Sequence, residues 1–323
     1  VSSPIPQVVV DDTLIALGKL GQWWRSLRED LIVVAVTGSA GKTTTKDMTA
    51  SILARRGPTL SNRGTENNEI GLPSTLLRLA NEEYCVLEMG SRGLGQIDYL
   101  AQIARPSVGV ITNIGEAHLG VIGGREKIAQ AKSELIAALP ATGTVVLNRE
   151  DYFFGLLSEM APCQVLSFGL SEGDFRAESI HTCVDGTSFV LVGPPGRKEV
   201  RLRSLGRHNV LNALAAAAAS WACGARGPHI VAGLEAFRGE ALRTQIFRRE
   251  DGTLIVNDAY NASPTSVGAL LDLVHDMPGR KVFVFGDMLE LGDYAQVAHE
   301  RVAQQAQEAG IQVLVAVGEL GAL

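Results

Sequence analysis

The stretch that most restricts this chain runs from Leu31 to Arg56. An apolar run, Leu31 to Val36, reads as a buried parallel strand. It breaks into Thr37-Gly38-Ser39-Ala40-Gly41-Lys42-Thr43-Thr44-Thr45, and a helix follows from about Gly41 to Arg56, amphipathic through Met48, Ile52 and Leu53. Strand, glycine loop, Lys-Thr and helix in this order make a phosphate-binding loop. The glycines let backbone N–H groups turn toward phosphate oxygens, and the helix N-terminus adds the positive end of its dipole. Lys42 can neutralise the β- and γ-phosphates of a nucleotide, and the Thr43 hydroxyl can hold Mg²⁺. The spacing departs from G-x-x-x-x-G-K-[ST]: Val36 stands where the first glycine belongs, and two residues separate Gly38 from Gly41. A Gly-Lys-Thr turn that only starts a helix is the plainer alternative. The strand in front of it favours a nucleotide site.

Length then sets the frame. A chain of 323 residues has room for two domains, or two and a fraction, and 46% hydrophobic content fills their cores. A net charge of −6 without a basic run argues against a nucleic-acid surface. No apolar run reaches the roughly 20 residues of a membrane span, and no signal peptide opens the sequence. The four cysteines (Cys85, Cys163, Cys183, Cys223) are scattered without a C-x-x-C, which speaks against a zinc ribbon or a disulfide framework. The expectation is a reduced, cytoplasmic protein, and a monomer.

Taken in order, Gln7 to Val10 reads as a strand, and Asp12 as the cap of a helix from Thr13 to Arg28 with Leu14, Leu17, Leu20, Trp24 and Leu27 on its apolar face. One strand and one helix cannot bury a core, so residues 1–30 read as the remnant of an N-terminal domain. From Leu31 strands and helices alternate. Tyr84 to Gly90 is a strand ending in Glu88, Val108 to Thr112 another, and further strands follow at Thr144 to Leu147 and up to Phe168. Phe175 to Arg203, with turns at Asp185-Gly186 and Gly193-Pro194-Pro195-Gly196, reads as an antiparallel insertion. An alanine-rich helix opens at Gly206 and runs to about Cys223. The segment from Pro228 to Gly239 reads as a boundary, and strands and helices alternate again to Val317. The fold class is therefore α/β: a P-loop central domain (31–238) with a mostly parallel sheet and a small antiparallel insertion, then a partial Rossmann-like C-terminal domain (239–323).

Active groups of open parallel sheets gather at the carboxyl ends of strands. Glu88 at such an end, beside a P-loop, is placed to anchor Mg²⁺. His118 and Lys132 are ambiguous by themselves, a loop histidine and a helix charge.

The motifs together carry a resemblance. The P-loop stretch 37–45, Glu88-Met89-Gly90, Thr112-Asn113-Ile114-Gly115-Glu116-Ala117-His118, Ala131-Lys132-Ser133-Glu134 and Gly206-Arg207-His208-Asn209-Val210-Leu211-Asn212 occur in this order and resemble the Mur ligases, whose P-loop has this shortened form. Asn67 to Pro73, Asn257 to Pro264 and Gly286 to Gly292 narrow the resemblance to the branch that adds D-Ala-D-Ala to UDP-N-acetylmuramoyl-tripeptide in peptidoglycan precursor synthesis. The resemblance implies an ATP-dependent ligase in which Gly38, Ser39, Ala40, Gly41, Lys42, Thr43 and Thr44 cradle ATP. Thr43 and Glu88 would hold one Mg²⁺; His118 would hold a second, with Lys132 as a carbamate. Asn209 and Asn212 would sit near the adenine. Arg243 would reach the γ-phosphate and Asp258 the ribose, while Tyr260 and Asn261 would line the nucleotide. Asn67 and Asn68 would face the substrate peptide. Lys42, His118, Lys132 and Arg243 are thus the expected catalytic set. It further implies an acyl phosphate made from the tripeptide carboxylate, attacked by the dipeptide amine. Two other readings compete: a folylpolyglutamate-synthase-like ligase, against which the Tyr260 to Pro264 and Gly286 to Met288 stretches and the remnant at 1–30 argue, and a non-catalytic nucleotide-binding scaffold. The two ends of the sequence add an expectation that these 323 residues alone bind ATP but ligate negligibly.

Overall fold

The computed structural model describes residues 5–115, 124–183, 185–239, 242–275 and 277–321. Six parallel strands form its central sheet: β1 (Ile32–Thr37), β2 (Thr59–Ser61), β3 (Tyr84–Glu88), β4 (Val108–Ile111), β5 (Thr144–Asn148) and β6 (Gln164–Phe168). Their spatial order is β2-β3-β1-β4-β5-β6. The register sets Val36 of β1 beside Glu88 on one side and Val110 on the other. Alternate side chains enter opposite cores. Val34, Val36, Val86 and Val110 join one cluster with Met48, Ile52 and the alanines near 215; Val33, Ala35, Cys85 and Leu87 join the other with Leu72, Leu76, Ile97 and Leu100. A sheet covered on both faces needs apolar residues at successive positions, so these strands read as continuous apolar runs.

The helices up to the second domain are α1 (Thr13–Ser26), α2 (Lys42–Leu53), α3 (Gly71–Leu76), α4 (Gln96–Ala104), α5 (Arg125–Ala137), α6 (Phe154–Glu159), α7 (Arg207–Ala222) and α8 (Gly227–Ala236). The alanine-rich α7 is almost wholly buried and packs against α2, so its small side chains serve close helix packing. The expected insertion is a three-stranded antiparallel sheet, β7 (Arg176–Cys183), β8 (Gly186–Gly193) and β9 (Gly196–Leu202). The second domain comprises an antiparallel pair, β10 (Gln245–Arg248) and β11 (Leu254–Asn257), followed by α9 (Pro264–His275), β12 (Val282–Gly286), α10 (Ala295–Glu308) and β13 (Val313–Val317). Strands β12 and β13 pair in parallel, and their core is Val267, Leu271, Phe285, Met288, Ala298 and Val302.

Three expectations need correction. Gln7 to Val10 is not a strand: Val8 and Val9 are 90% and 92% exposed, and among the described residues no neighbour offers them a ladder. β-branched residues do not make a strand without a paired surface. Helix α1 is present, capped by Asp12 accepting from the N–H groups of Leu14 and Ile15. It turns a different face inward, however. Leu14, Leu20 and Leu27 are exposed, whereas Gly18, Gly21 and Arg25 are buried against α3 and α4. Its close approach depends on the glycines, and Trp24 Nε1 and Arg25 Nε donate to the carbonyls of Leu79 and Ala104, both at 3.1 Å. Finally, residues 227–236 form α8, packed on α2, in place of the boundary expected from Pro228; proline is tolerated in a first helical turn.

Candidate active site

The chain passes from β1 to β2 and β3 on one side of it and then crosses to β4, β5 and β6 on the other, which opens a crevice at the carboxyl ends of the strands. A cavity of about 1080 Å³ lies there. Gly38 after β1, Glu88 of β3, Thr112 after β4, Asn148 of β5 and Phe168 of β6 all line it.

The P-loop is braced by the segment after β4. Asn113 accepts from the Ala40 N–H through Oδ1 and donates Nδ2 to the Ala40 carbonyl, both at 3.0 Å. Thr112 Oγ1 donates to the same carbonyl at 2.6 Å, and Ser39 Oγ accepts from the Gly115 N–H at 2.9 Å. Gly41 takes φ 78°, and a Cβ there would lie 2.3 Å from Asn212 Oδ1, so only glycine fits. Lys42 Nζ folds across the loop to the carbonyls of Gly38 (3.0 Å) and Ser39 (3.3 Å). Burial holds its ammonium below the usual lysine range, with Glu88 pulling it back up and Arg243 pushing it further down. Thr43, one residue on, is 1% exposed.

Glu88 is equally buried, at 1% exposure. Its Oε1 accepts from Asn67 Nδ2 at 2.7 Å, while Oε2 is buried with no hydrogen-bond partner. An unpartnered buried carboxylate oxygen is costly and calls for a ligand such as an ion. Among the described residues no three His, Cys, Asp or Glu side chains converge. Mg²⁺ suits such a place, because it binds through one or two carboxylates together with substrate phosphates and water. The donors present therefore fit Mg²⁺.

On α5, Lys132 is 3% exposed and lines the same cavity. Burial, with the charge of Lys42 adding to it and Glu134 opposing, lowers its pKa to about 7. A lysine amine that is neutral near physiological pH is the form that can take up CO₂. Glu134 has a separate task, since its two oxygens accept from the N–H groups of Gly95 (2.6 Å) and Asp98 (3.1 Å) at the start of α4.

The second domain contributes the opposite wall. Arg243 lies over the Tyr260 ring, with its guanidinium carbon 4.1 Å from the centroid. Leu242 and Thr244 on either side of it have φ of 62° and 49°, a conformation bulky residues rarely adopt. Asp258 Oδ1 holds that turn, accepting from Thr244 N at 2.7 Å and Thr244 Oγ1 at 3.3 Å. The Tyr260 hydroxyl crosses between domains and shares a 2.6 Å hydrogen bond with Thr65 Oγ1. Asn68, Asn209, Asn212 and Asn261 line the cavity too, as does the unforeseen His208, which burial keeps below the usual histidine pKa against the pull of Asp258 and Asp272. The structure thus brings every expected site residue to one cavity except His118, which lies outside the described residues.

Residues 36–220 match the family model described as the Mur ligase middle domain, and residues 242–322 match the Mur ligase, glutamate ligase domain. UDP-N-acetylmuramoyl-tripeptide–D-alanyl-D-alanine ligase of Escherichia coli K12 is 38% identical over 319 residues, covering 98% of this chain and 70% of the relative. This chain belongs to the Mur ligase family. Two solved Mur ligase structures agree. The crystal structure I of MurF from Acinetobacter baumannii superposes with a TM-score of 0.95 at 41% identity, covering 99% of this chain and 71% of the other. The MurF ligase of Thermotoga maritima in complex with ADP gives 0.85 at 27% identity, covering 98% and 77%. The Mur ligase resemblance seen in the motifs is therefore matched along both domains.

Three buried side chains in or behind this Mur ligase site have roles that the sequence does not reveal, although Thr112 stands in one of the quoted motifs. Lys46 and Asn62 are each 1% exposed and Thr112 is 4% exposed. Burial of a lysine on an amphipathic helix cannot be read from the helix alone.

Proposed function

We propose that this chain carries the centre of an ATP-dependent ligase that joins D-Ala-D-Ala to UDP-N-acetylmuramoyl-tripeptide. One observation supports the chemistry above others: the buried, half-unpartnered Glu88 carboxylate opens onto the same cavity as Lys42 and Thr43 of the P-loop and Arg243 of the second domain. The names of the relatives support the substrates, and the motifs at 67–73, 257–264 and 286–292 support that branch over a folylpolyglutamate-type ligase.

The problem for such an enzyme is charge. A peptide carboxylate must approach an anionic γ-phosphate, and two unit charges 4 Å apart repel by about 4 kcal/mol at an effective dielectric constant near 20. Lys42 and Arg243 offset that repulsion from opposite walls. The backbone N–H groups of 38–44 hold the phosphates, and Asn209, Asn212, Asp258, Tyr260 and Asn261 surround the nucleoside. Thr43 and Glu88 would hold Mg²⁺, and Lys132, as a carbamate, would with His118 hold a second ion. Bound there, the metal supplies Lewis-acid neutralisation of phosphate charge. With ATP as substrate, a carboxylate oxygen of the tripeptide takes the γ-phosphoryl group and ADP leaves. The amine of D-Ala-D-Ala then attacks the acyl carbon, loses a proton, and phosphate departs. Asn67 and Asn68 flank the approach of the peptide. The setting is cytoplasmic, where ATP is found; among the described residues no helix is long and apolar enough to cross a membrane.

Nucleotide-dependent thermal stabilisation tests the site. At a hundredfold excess over Kd, MgATP should stabilise the parent by about 2.7 kcal/mol, and Lys42→Ala should lose this. Equal shifts in both proteins would sink the nucleotide assignment. Any phosphate released above the ATP-only rate should require the tripeptide nucleotide and D-Ala-D-Ala together. Stimulation by L-glutamate in place of the dipeptide would transfer the chain to the folylpolyglutamate-type reading.

A further inference from the structure

Lys46 lies one helical turn beyond Lys42, on the same face of α2, yet it does not line the cavity. Among the fully buried side chains it is one of the largest, with 1% exposure. Lysines are almost never buried to this degree unless their charge is engaged. Here the ammonium donates to the carbonyls of Asn62 (2.8 Å) and Gly64 (3.3 Å) and pairs with the Asp47 carboxylate at 2.9 Å. The helix that holds the P-loop thereby grips the asparagine-rich loop after β2.

That loop in turn grips Glu88. Asn62 Oδ1 accepts from the Glu88 N–H at 2.8 Å, and Asn62 Nδ2 donates to the Glu66 carbonyl at 3.1 Å. Asn67 donates Nδ2 to Glu88 Oε1 at 2.7 Å and accepts the Gly90 N–H on its own carbonyl at 2.9 Å. One carboxylate oxygen is thus occupied and the other left open.

We propose that Lys46 is a positioning residue for the metal arm of the site: it fixes the 62–67 loop so that Asn67 holds Glu88 with Oε2 presented to a divalent cation. The proposal rests on reading Glu88 as a metal-holding carboxylate. Partners behind a ligand set its orientation, and their loss typically costs roughly 10–100-fold in metal affinity.

The test uses the whole chain, ADP and Mg²⁺. Thermal stabilisation by saturating ADP is followed as Mg²⁺ is titrated, and again in EDTA. Lys46→Met keeps the side-chain length and removes every donor. The Mg²⁺ concentration for half-maximal stabilisation should rise about tenfold or more, while the EDTA shift, which reports the P-loop itself, stays as in the parent. Asn67→Ala should raise the midpoint similarly. Lys46→Arg, which keeps the charge but cannot put one nitrogen on both carbonyls, should give a smaller rise and serves if Lys46→Met does not fold. An unchanged midpoint in the folded Lys46 variant, with Glu88→Gln raising it, overturns the proposal and leaves the metal reading standing. An unchanged midpoint in Glu88→Gln overturns both. Loss of the EDTA shift in the Lys46 variant also overturns the proposal, because the lysine would then be holding the P-loop itself.

Discussion

At the scale of single residues, the groups that read clearly in the sequence are those whose chemistry is local. Lys42 and Thr43 announce themselves through the strand and glycines before them, and Glu88 through its place at a strand end. Lys46 and Asn62 do not, because their roles come from burial and from partners 16 to 26 residues away. Lys132 lies between these cases: its position belongs to a motif, but its depressed pKa depends on the fold. The consequence for pH has a definite sign. Its pKa falls from the model-compound value of 10.5 to about 7 in the folded chain, so between those values the unfolded state binds more protons. Lys132 therefore penalises folding most below pH 7 and progressively less as pH rises toward 10.5. Stability of the parent relative to Lys132→Met should climb with pH across the window 7.5 to 9.5, by at most about 1.4 kcal/mol per pH unit. Urea midpoints of both proteins at several pH values, in bicarbonate-free buffer, measure it; a flat difference would mean the amine is not desolvated. Labelled bicarbonate should then give a carbamate carbon signal in the parent that the variant lacks.

Elements were legible where one periodicity dominated. The buried strands stand out as apolar runs, and the insertion as alternation between two glycine-marked turns. The three-residue edge strand β2 was too short to register, and α8 was hidden by the proline in its first turn. Helix α1 is legible but its inward face is not, because hydrophobicity favours its leucines while close packing selects Gly18 and Gly21. Packing of this kind also fixes α2, the helix that begins with Lys42. Gly233 of α8 lies so near that a Cβ on it would be 2.4 Å from Ile52 Cα and 2.7 Å from Ile52 N. Backbone cannot yield as a flexible side chain can. Gly233→Val should therefore cost about 1–3 kcal/mol or more, lowering Tm by several degrees, whereas Ala232→Val on the exposed side of the same helix should stay within about 0.5 kcal/mol. Denaturant unfolding of the pair decides this. A Gly233→Val protein as stable as the parent would show that the two helices slide apart freely.

Across the whole molecule the site depends on two domains meeting, and nothing local in the sequence encodes how they meet. Lys42, Thr43 and Glu88 belong to one domain, Arg243 and Asp258 to the other. The direct links include two exposed ion pairs, Arg92 with Glu290 at 3.5 Å and Arg248 with Asp185 at 2.6 Å. Exposed pairs of this kind are worth about 0–1 kcal/mol each and weaken with salt. The Thr65–Tyr260 hydrogen bond is uncharged, joins residues 195 apart in sequence, and has Arg243 stacked on its ring. It therefore couples closure to the placement of the arginine in one contact. Tyr260→Phe keeps the ring beneath Arg243 and removes only the hydroxyl; Thr65→Val removes the other partner. A hydrogen bond contributes about 0.5–1.5 kcal/mol net, so each change should raise the Kd for MgADP between about twofold and tenfold. Because both act through the same bond, the double variant should bind no worse than the weaker single, a non-additivity of similar size. Calorimetric titration of the four proteins closes the cycle. If the two losses simply add, the hydroxyls do not work together, and the domains are held closed by something other than this bond.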